Sequence, residues 1–160
     1  MQLFLAQNHS AMTHLPIASA ILIAGAAVAA LFSARKEIAW WCAILSVVAF
    51  LTAIPTMATG IAAAKGRFND DGKPYLQSGL IVSDIPANAR IFRHQLLGIT
   101  GAGVAALLAI LSILRVRGRN PNRYVIALLA VLLAVLWGIG GHLGGEELWG
   151  AGTFPAFHQP

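Results

Sequence analysis

Four long segments without a charged side chain dominate this sequence, and each is uncharged over at least 17 residues. A helix of about 20 apolar residues is long enough to cross the hydrocarbon core of a bilayer. Inside lipid the backbone polar groups must be bonded within the segment, so helices are expected there rather than open strands. The predicted spans are residues 16–34, 38–64, 94–114 and 124–145.

The composition supports a membrane environment for these segments. Hydrophobic residues make up 58% of the chain and charged residues only 11%, whereas ordinary soluble domains carry about 25% charged residues. The mean hydropathy is +0.72. We therefore predict an all-α fold, an integral membrane four-helix bundle. It forms a single transmembrane domain over residues 1–160, with an outer loop at 65–93.

The distribution of basic residues predicts the orientation of the bundle. Two short connections between the spans carry closely spaced Lys and Arg, whereas the cations of the 65–93 loop are spread out and mixed with aspartates. Short loops rich in Lys and Arg stay on the cytoplasmic side. Both termini are therefore predicted to lie on the outer, periplasmic side. The cations of the short connections are Arg35, Lys36, Arg115, Arg117, Arg119 and Arg123.

Several functional classes are disfavoured by the sequence. The net charge of +5 is accounted for by topology and contact with anionic lipid, and no nucleic-acid-binding module is present, so no nucleic-acid partner is predicted. A transporter is disfavoured because no charged residue lies deep within a span. There is no C-x-x-C-H motif for covalent haem attachment, and Cys42 is the only cysteine, so an internal disulfide is excluded.

The histidines all fall on the predicted outer side. They are His9, His14, His94, His142 and His158. His14 precedes Pro16, a residue that suits the first turn of a helix, while His94 opens the third span and His142 lies at the outer end of the fourth. Because histidine binds haem iron, zinc or copper, the metal-ligand candidates are His14, His94 and His142 first and then His9. His158, in the C-terminal tail, is expected to be solvent-exposed.

Glycines are concentrated near these histidines. Five of the eight residues at 138–145 are glycine, although glycine destabilises a helix by about 1 kcal/mol relative to alanine. Close approach of a flat cofactor or of a neighbouring helix would compensate, and both explanations stay open. Gly141 and Gly144 are therefore candidate cofactor contacts. In the third span Gly98, Gly101 and Gly103 predict room inside the outer half of the bundle.

Arginines near the third span extend the candidate site. Arg90 and Arg93 precede or adjoin His94, and arginine matches a carboxylate with two parallel hydrogen bonds. They are candidates to bind haem propionates. Anchoring of the helix at the membrane interface is the alternative role.

Four short motifs lie at the predicted outer ends of the spans: H-S-A-M-T-H-L-P-I-A at 9–18, T-G at 59–60, R-H at 93–94 and G-G-H-L-G-G-E-E-L-W at 140–149. Their order resembles the bacterial four-helix membrane family called domain of unknown function 2231, over nearly the whole chain. The resemblance implies a multi-pass protein of the bacterial inner membrane, often associated with c-type cytochrome domains, that binds b-type haem or serves a redox complex. By motif, the implied site residues are His9, His14, His94 and residues 144–147. The family has a further histidine after L-G-G-E-L, which residues 149–152 lack, and His142 is the candidate substitute.

These observations lead to three functional hypotheses. The first is a membrane b-type cytochrome-like subunit of a respiratory or photosynthetic redox complex. It would bind noncovalent haem b and exchange electrons with a periplasmic c-type cytochrome or a quinone, beside other membrane subunits. No catalytic residue is predicted, since the chemistry is electron transfer. The alternatives are a non-catalytic membrane anchor or assembly subunit, and a nonhaem metal site that adds Glu146 or Glu147 to the histidines.

Overall fold

The computed structural model describes the backbone of residues 9–33, 35–65 and 90–149, and within these ranges the side chains except at 10–11, 62–65, 90–91 and 145–149. It contains helices α1 (His9–Phe32), α2 (Lys36–Lys65), α3 (Arg90–Val116) and α4 (Arg123–Trp149). All four are long and apolar enough to cross a membrane, and the described ranges contain no strand. The prediction of an all-α fold with four helices long and apolar enough to cross a membrane is confirmed for the described residues, while its orientation stays a prediction.

The helices form a ring in which each packs against two neighbours. α1 contacts α2, α2 contacts α3, α3 contacts α4, and α4 closes the ring against α1. Successive helices are antiparallel, so the starts of α1 and α3 meet the ends of α2 and α4. We call this the histidine end, after His9 and His94. The opposite end, with Arg115 and Arg123, is the arginine end.

The core of the bundle is built mainly from small residues. Most of its fully buried positions are alanines, and its largest completely buried apolar side chains are Ile23, Leu108 and Leu133. Many other large apolar side chains face outward, such as Leu22 and Leu128, which are 59% and 69% exposed. Small residues let membrane helices approach closely, and the outward apolar surface suits contact with lipid.

Helix α1 begins seven residues before the predicted start of the first span. Proline has no N–H, so Pro16 cannot donate to the carbonyl of Met12, four residues earlier. The hydroxyl of Thr56 on α2 lies 3.0 Å from that carbonyl and 2.8 Å from the carbonyl of Thr52, so its single hydrogen is shared between the two acceptors. A neighbouring hydroxyl can satisfy a backbone group freed by proline in this way. The first span was predicted to begin at residue 16, with Pro16 in its first turn, whereas the helix extends back to His9.

The connection between α3 and α4 is a compact turn at the arginine end. Gly118 has a φ of 80°, a left-handed conformation that ends α3. The Arg119 N–H then donates to the Leu114 carbonyl at 3.0 Å. The side chain of Asn122 accepts a hydrogen bond from the Tyr124 N–H at 2.9 Å and so caps the start of α4. This turn fixes the last arginine of α3 relative to the first arginine of α4.

Candidate functional site

His9, the first residue of α1, is held against α2 by a hydrogen bond. Its side chain is only 6% exposed, and its Nδ1 lies 3.0 Å from Oγ1 of Thr59. The Thr59 hydroxyl donates its own hydrogen to the Thr56 carbonyl at 2.9 Å. With its single hydrogen directed to that carbonyl, the Thr59 oxygen can accept from His9. This pattern favours the form of His9 that carries a hydrogen on Nδ1.

His94 is held in the same way on the other side of the bundle. It is partly buried near the start of α3, and its Nδ1 lies 2.7 Å from the carbonyl oxygen of Gly140 on α4. A carbonyl can only accept, so Nδ1 of His94 also carries a hydrogen. Histidines that bind a metal commonly donate their second ring N–H to an oxygen in this manner, which fixes the ring and its protonation. For both residues the metal-binding nitrogen would be Nε2.

The two imidazole rings meet across the bundle. Their centroids are 6.0 Å apart and their planes are inclined by 80°, although His9 and His94 belong to helices at opposite corners. A metal bound between two imidazoles needs roughly 6 Å between ring centres, from two bonds of about 2 Å and about 1 Å within each ring. A separation of 6.0 Å agrees with that value, and it is equally the separation of two aromatic rings in direct edge-to-face contact.

Glycines make this approach of the rings sterically feasible. A Cβ on Gly60 of α2 would lie 2.9 Å from Cε1 of His9, and a Cβ on Gly144 of α4 would lie 2.6 Å from Cε1 of His94. Either methyl group would displace the ring beside it. One turn deeper, a Cβ on Gly141 would lie 2.7 Å from Cδ1 of Ile17 on α1. Close packing of neighbouring helices thus accounts for Gly60, Gly141 and Gly144.

The internal space that was predicted beside the glycines of α3 is occupied at the one glycine that faces the core. A Cβ on Gly101 would overlap the indole of Trp137 on α4, which is only 6% exposed. Around Gly98 and Gly103, no described atom outside their own helix comes within 4 Å of an added Cβ, and both residues are at least partly exposed. The predicted internal space is therefore wrong at Gly101, because the large ring of Trp137 occupies it.

Two of the predicted histidines are not brought to the pair. His14 is exposed, since it follows His9 by five positions and is rotated from it by about 140° around the helix. His142 is also exposed, because it lies two positions from both Gly140 and Gly144 and so about 200° from each. Arg93 is exposed as well. These side chains line the surface of the histidine end rather than its interior.

Several predicted residues lie outside the described part of the chain. These are His158, residues 66–89 of the predicted loop, and the side chains of Arg90, Gly145, Glu146 and Glu147. Within the described residues, no group of three or more His, Cys, Asp or Glu is placed to hold a metal ion. Zinc sites generally use three or four protein ligands, whereas haem brings its own nitrogens and needs only axial ligands.

Three supporting hydrogen-bond partners were not predicted from the sequence. Thr59 and the Gly140 carbonyl orient the two rings, and Thr56 supports α1. The T-G motif at 59–60 already placed a hydroxyl and a glycine at the end of the second span. The motif does not reveal which histidine contacts it, because the contact between Thr59 and His9 depends on the rotation of α1.

No family model, no curated protein and no solved structure matches this chain. The resemblance to domain of unknown function 2231 therefore stays a prediction from the four motifs. The functional argument rests on the geometry of the histidine end.

Proposed function

We propose that this protein is a b-type cytochrome-like membrane subunit in which His9 and His94 bind the iron of a noncovalent haem b. The observation that carries the proposal is the pair of imidazoles, 6.0 Å apart and reaching across the bundle from opposite helices. Each donates from Nδ1 to a protein oxygen at 3.0 or 2.7 Å. These two residues would hold the iron, and their hydrogen bonds would fix the orientation of the rings.

The number of ligands in the pair suits a haem better than a bare ion. Two histidines satisfy a haem iron, whereas a bare zinc ion would need further ligands. Gly60 on α2 and Gly144 on α4 leave the space that the two imidazole rings occupy, so each ring can lie against the neighbouring helix. The contact between Ile17 and Gly141 one turn deeper confines such a site to the histidine end.

Haem, when bound, would supply one-electron transfer. The chain's own residues would orient the ligands and limit access of water, as the 6% exposure of His9 indicates. Hydrogen bonds from Nδ1 to Thr59 and to the Gly140 carbonyl would make Nε2 a stronger donor and so help set the reduction potential. The exposed Arg93 is the proposed partner for a propionate.

The proposed electron partners are a periplasmic c-type cytochrome or a quinone, which meet the protein at its histidine end. In this assignment the histidine end is the periplasmic face of a bacterial inner membrane, and the subunit is one part of a larger redox complex. A positively charged cytoplasmic face at the arginine end agrees with the distribution of Lys and Arg in the short connections.

The test is a visible spectrum of protein purified in mild detergent from cells supplied with haem. We expect a b-type signal in reduced-minus-oxidised spectra and in pyridine haemochrome analysis. His9→Ala and His94→Ala should each lose it. His14→Ala and His142→Ala are matched controls, since they remove exposed histidines from the same end, and both should retain it.

Two outcomes would count against the proposal. A colourless wild-type protein would remove the cytochrome assignment, and elemental analysis would then separate a nonhaem metal site from a membrane anchor. A signal lost in His14→Ala or His142→Ala but kept in His9→Ala would instead overturn the choice of ligands. Thermal melting of each variant distinguishes a folded protein that has lost the haem signal from an unfolded one.

A further inference from the structure

The arginine end contains a narrow cavity on the axis of the bundle. All four helices contribute to its lining, and its volume is about 10 Å³, roughly the space of one water molecule. An oxygen atom of a larger ligand occupies a similar volume. Among the lining residues are Ala30, Ala39, Cys42, Ser112, Arg115 and Arg123.

A buried hydroxyl in this cavity has no internal partner. Ser112 is 1% exposed, and its Oγ makes no hydrogen bond with any described residue. An unpaired buried hydroxyl is destabilising because it has given up its bonds to water. Ser46, which is fully buried in α2, shows the usual solution, since its Oγ donates to the Cys42 carbonyl at 2.6 Å. The Ser112 hydroxyl is therefore available to a ligand in the cavity.

Two arginines flank the same cavity. Arg115 lies partly buried in the last turn of α3, and Arg123 is the exposed first residue of α4. Neither guanidinium forms an ion pair with a carboxylate of the described chain, and Arg123 instead lies 5.2 Å from the centroid of the Tyr124 ring. A cation at the N-terminus of a helix is disfavoured by the helix dipole, whereas an anion bound there is favoured.

We propose that this cavity binds a phosphate group. One phosphate oxygen fills the water-sized space and accepts a hydrogen bond from Ser112 Oγ, while the others bind Arg115 and Arg123. Arginine is well matched to phosphate oxygens. The surrounding surface concentrates anions, because the short connections at this end carry six Lys and Arg against the single acidic residue Glu37. An anionic phospholipid and free phosphate share this chemistry.

The experiment measures the melting temperature of delipidated protein in a neutral detergent. Additions are phosphatidylglycerol, phosphatidylcholine, or inorganic phosphate at matched ionic strength. We expect phosphatidylglycerol or phosphate to raise the melting temperature by several degrees, and phosphatidylcholine to have little effect. Arg115→Gln and Ser112→Ala should each lose most of the rise. Arg119→Gln is the matched control, since it removes the same charge from an exposed position outside the cavity lining.

Each outcome decides the proposal. A rise with phosphatidylglycerol alone identifies the lipid head group, and a rise with phosphate identifies the free ion as sufficient. Equal responses of wild type, Arg115→Gln and Arg119→Gln would show general attraction of anions and overturn the site. A full rise in the melting temperature of Ser112→Ala would overturn the role of the cavity. This variant removes only an unpaired hydroxyl, so we expect it to fold.

Discussion

The two ends of this bundle differ in whether polar side chains form hydrogen bonds between helices. At the histidine end, side chains bond across helices, as in His9 with Thr59 and His94 with the Gly140 carbonyl. At the arginine end, the buried hydroxyl of Ser112 is unpaired within the described chain. Paired polar groups hold side chains in a fixed geometry, as cofactor ligands require. Unpaired donors instead favour binding of an acceptor from outside.

The largest expected effect comes from filling the space beside His94. Gly144→Ala places a methyl group 2.6 Å from the present position of Cε1, so the ring must move. We expect a loss of about 1–3 kcal/mol in the free energy of unfolding, and a weakened or lost haem signal if the proposed function is correct. Reversible unfolding in mixed micelles measures the first effect, and the visible spectrum measures the second.

The matched control is Gly138→Ala on the same helix, where an added Cβ meets no described atom within 4 Å. Alanine is the better helix former, so this change should stabilise the protein by roughly 0.5–1 kcal/mol. Equal effects of the two substitutions would show that the contact between Gly144 and His94 does not constrain the histidine end.

An intermediate effect is expected at the hydrogen bond that supports α1. Thr56→Val removes the hydroxyl shared by the Met12 and Thr52 carbonyls and should cost about 1–2 kcal/mol in the free energy of unfolding. Thr52→Val is the control, because its hydroxyl bonds only to carbonyls of its own helix. Adding Pro16→Ala restores the backbone N–H, so the cost of Thr56→Val should then fall. A double-mutant cycle that shows no such coupling would contradict this account.

The smallest effect compares two buried serines at the arginine end. Ser46→Ala removes a hydrogen bond to the Cys42 carbonyl and should cost about 0.5–1.5 kcal/mol. Ser112→Ala removes an unpaired hydroxyl, so without phosphate or lipid it should be neutral or slightly stabilising. The measurement is again unfolding in mixed micelles. If both substitutions cost the same, Ser112 has a partner within the folded chain.

The helices themselves were predictable because apolar content and length suffice to identify a membrane span. The predicted third span, residues 94–114, falls within α3 (Arg90–Val116). The start of α1 was not predictable, because the helix passes through Pro16 with help from Thr56, which lies 44 positions away in sequence. Local sequence contains no information about that partner.

For the candidate site, the sequence predicted which end of the bundle it occupies but not which side chains face the interior. The sequence placed His94 and the glycines at one end, but it ranked His14 ahead of His9. A helix that begins seven residues earlier turns His9 toward the core and His14 toward the surface. The identity of the residues that each glycine accommodates depends on the rotation of all four helices. That rotation follows from packing rather than from the sequence of any one segment.

The bond between Thr56 and the Met12 carbonyl has a consequence for how the protein is made. During synthesis α1 enters the membrane before α2, so this carbonyl lacks its donor until the second helix arrives. Each unsatisfied backbone group in lipid costs several kcal/mol. We therefore expect α1 and α2 to settle in the bilayer together as a hairpin, with His9 reaching its final position only after α2 has been inserted.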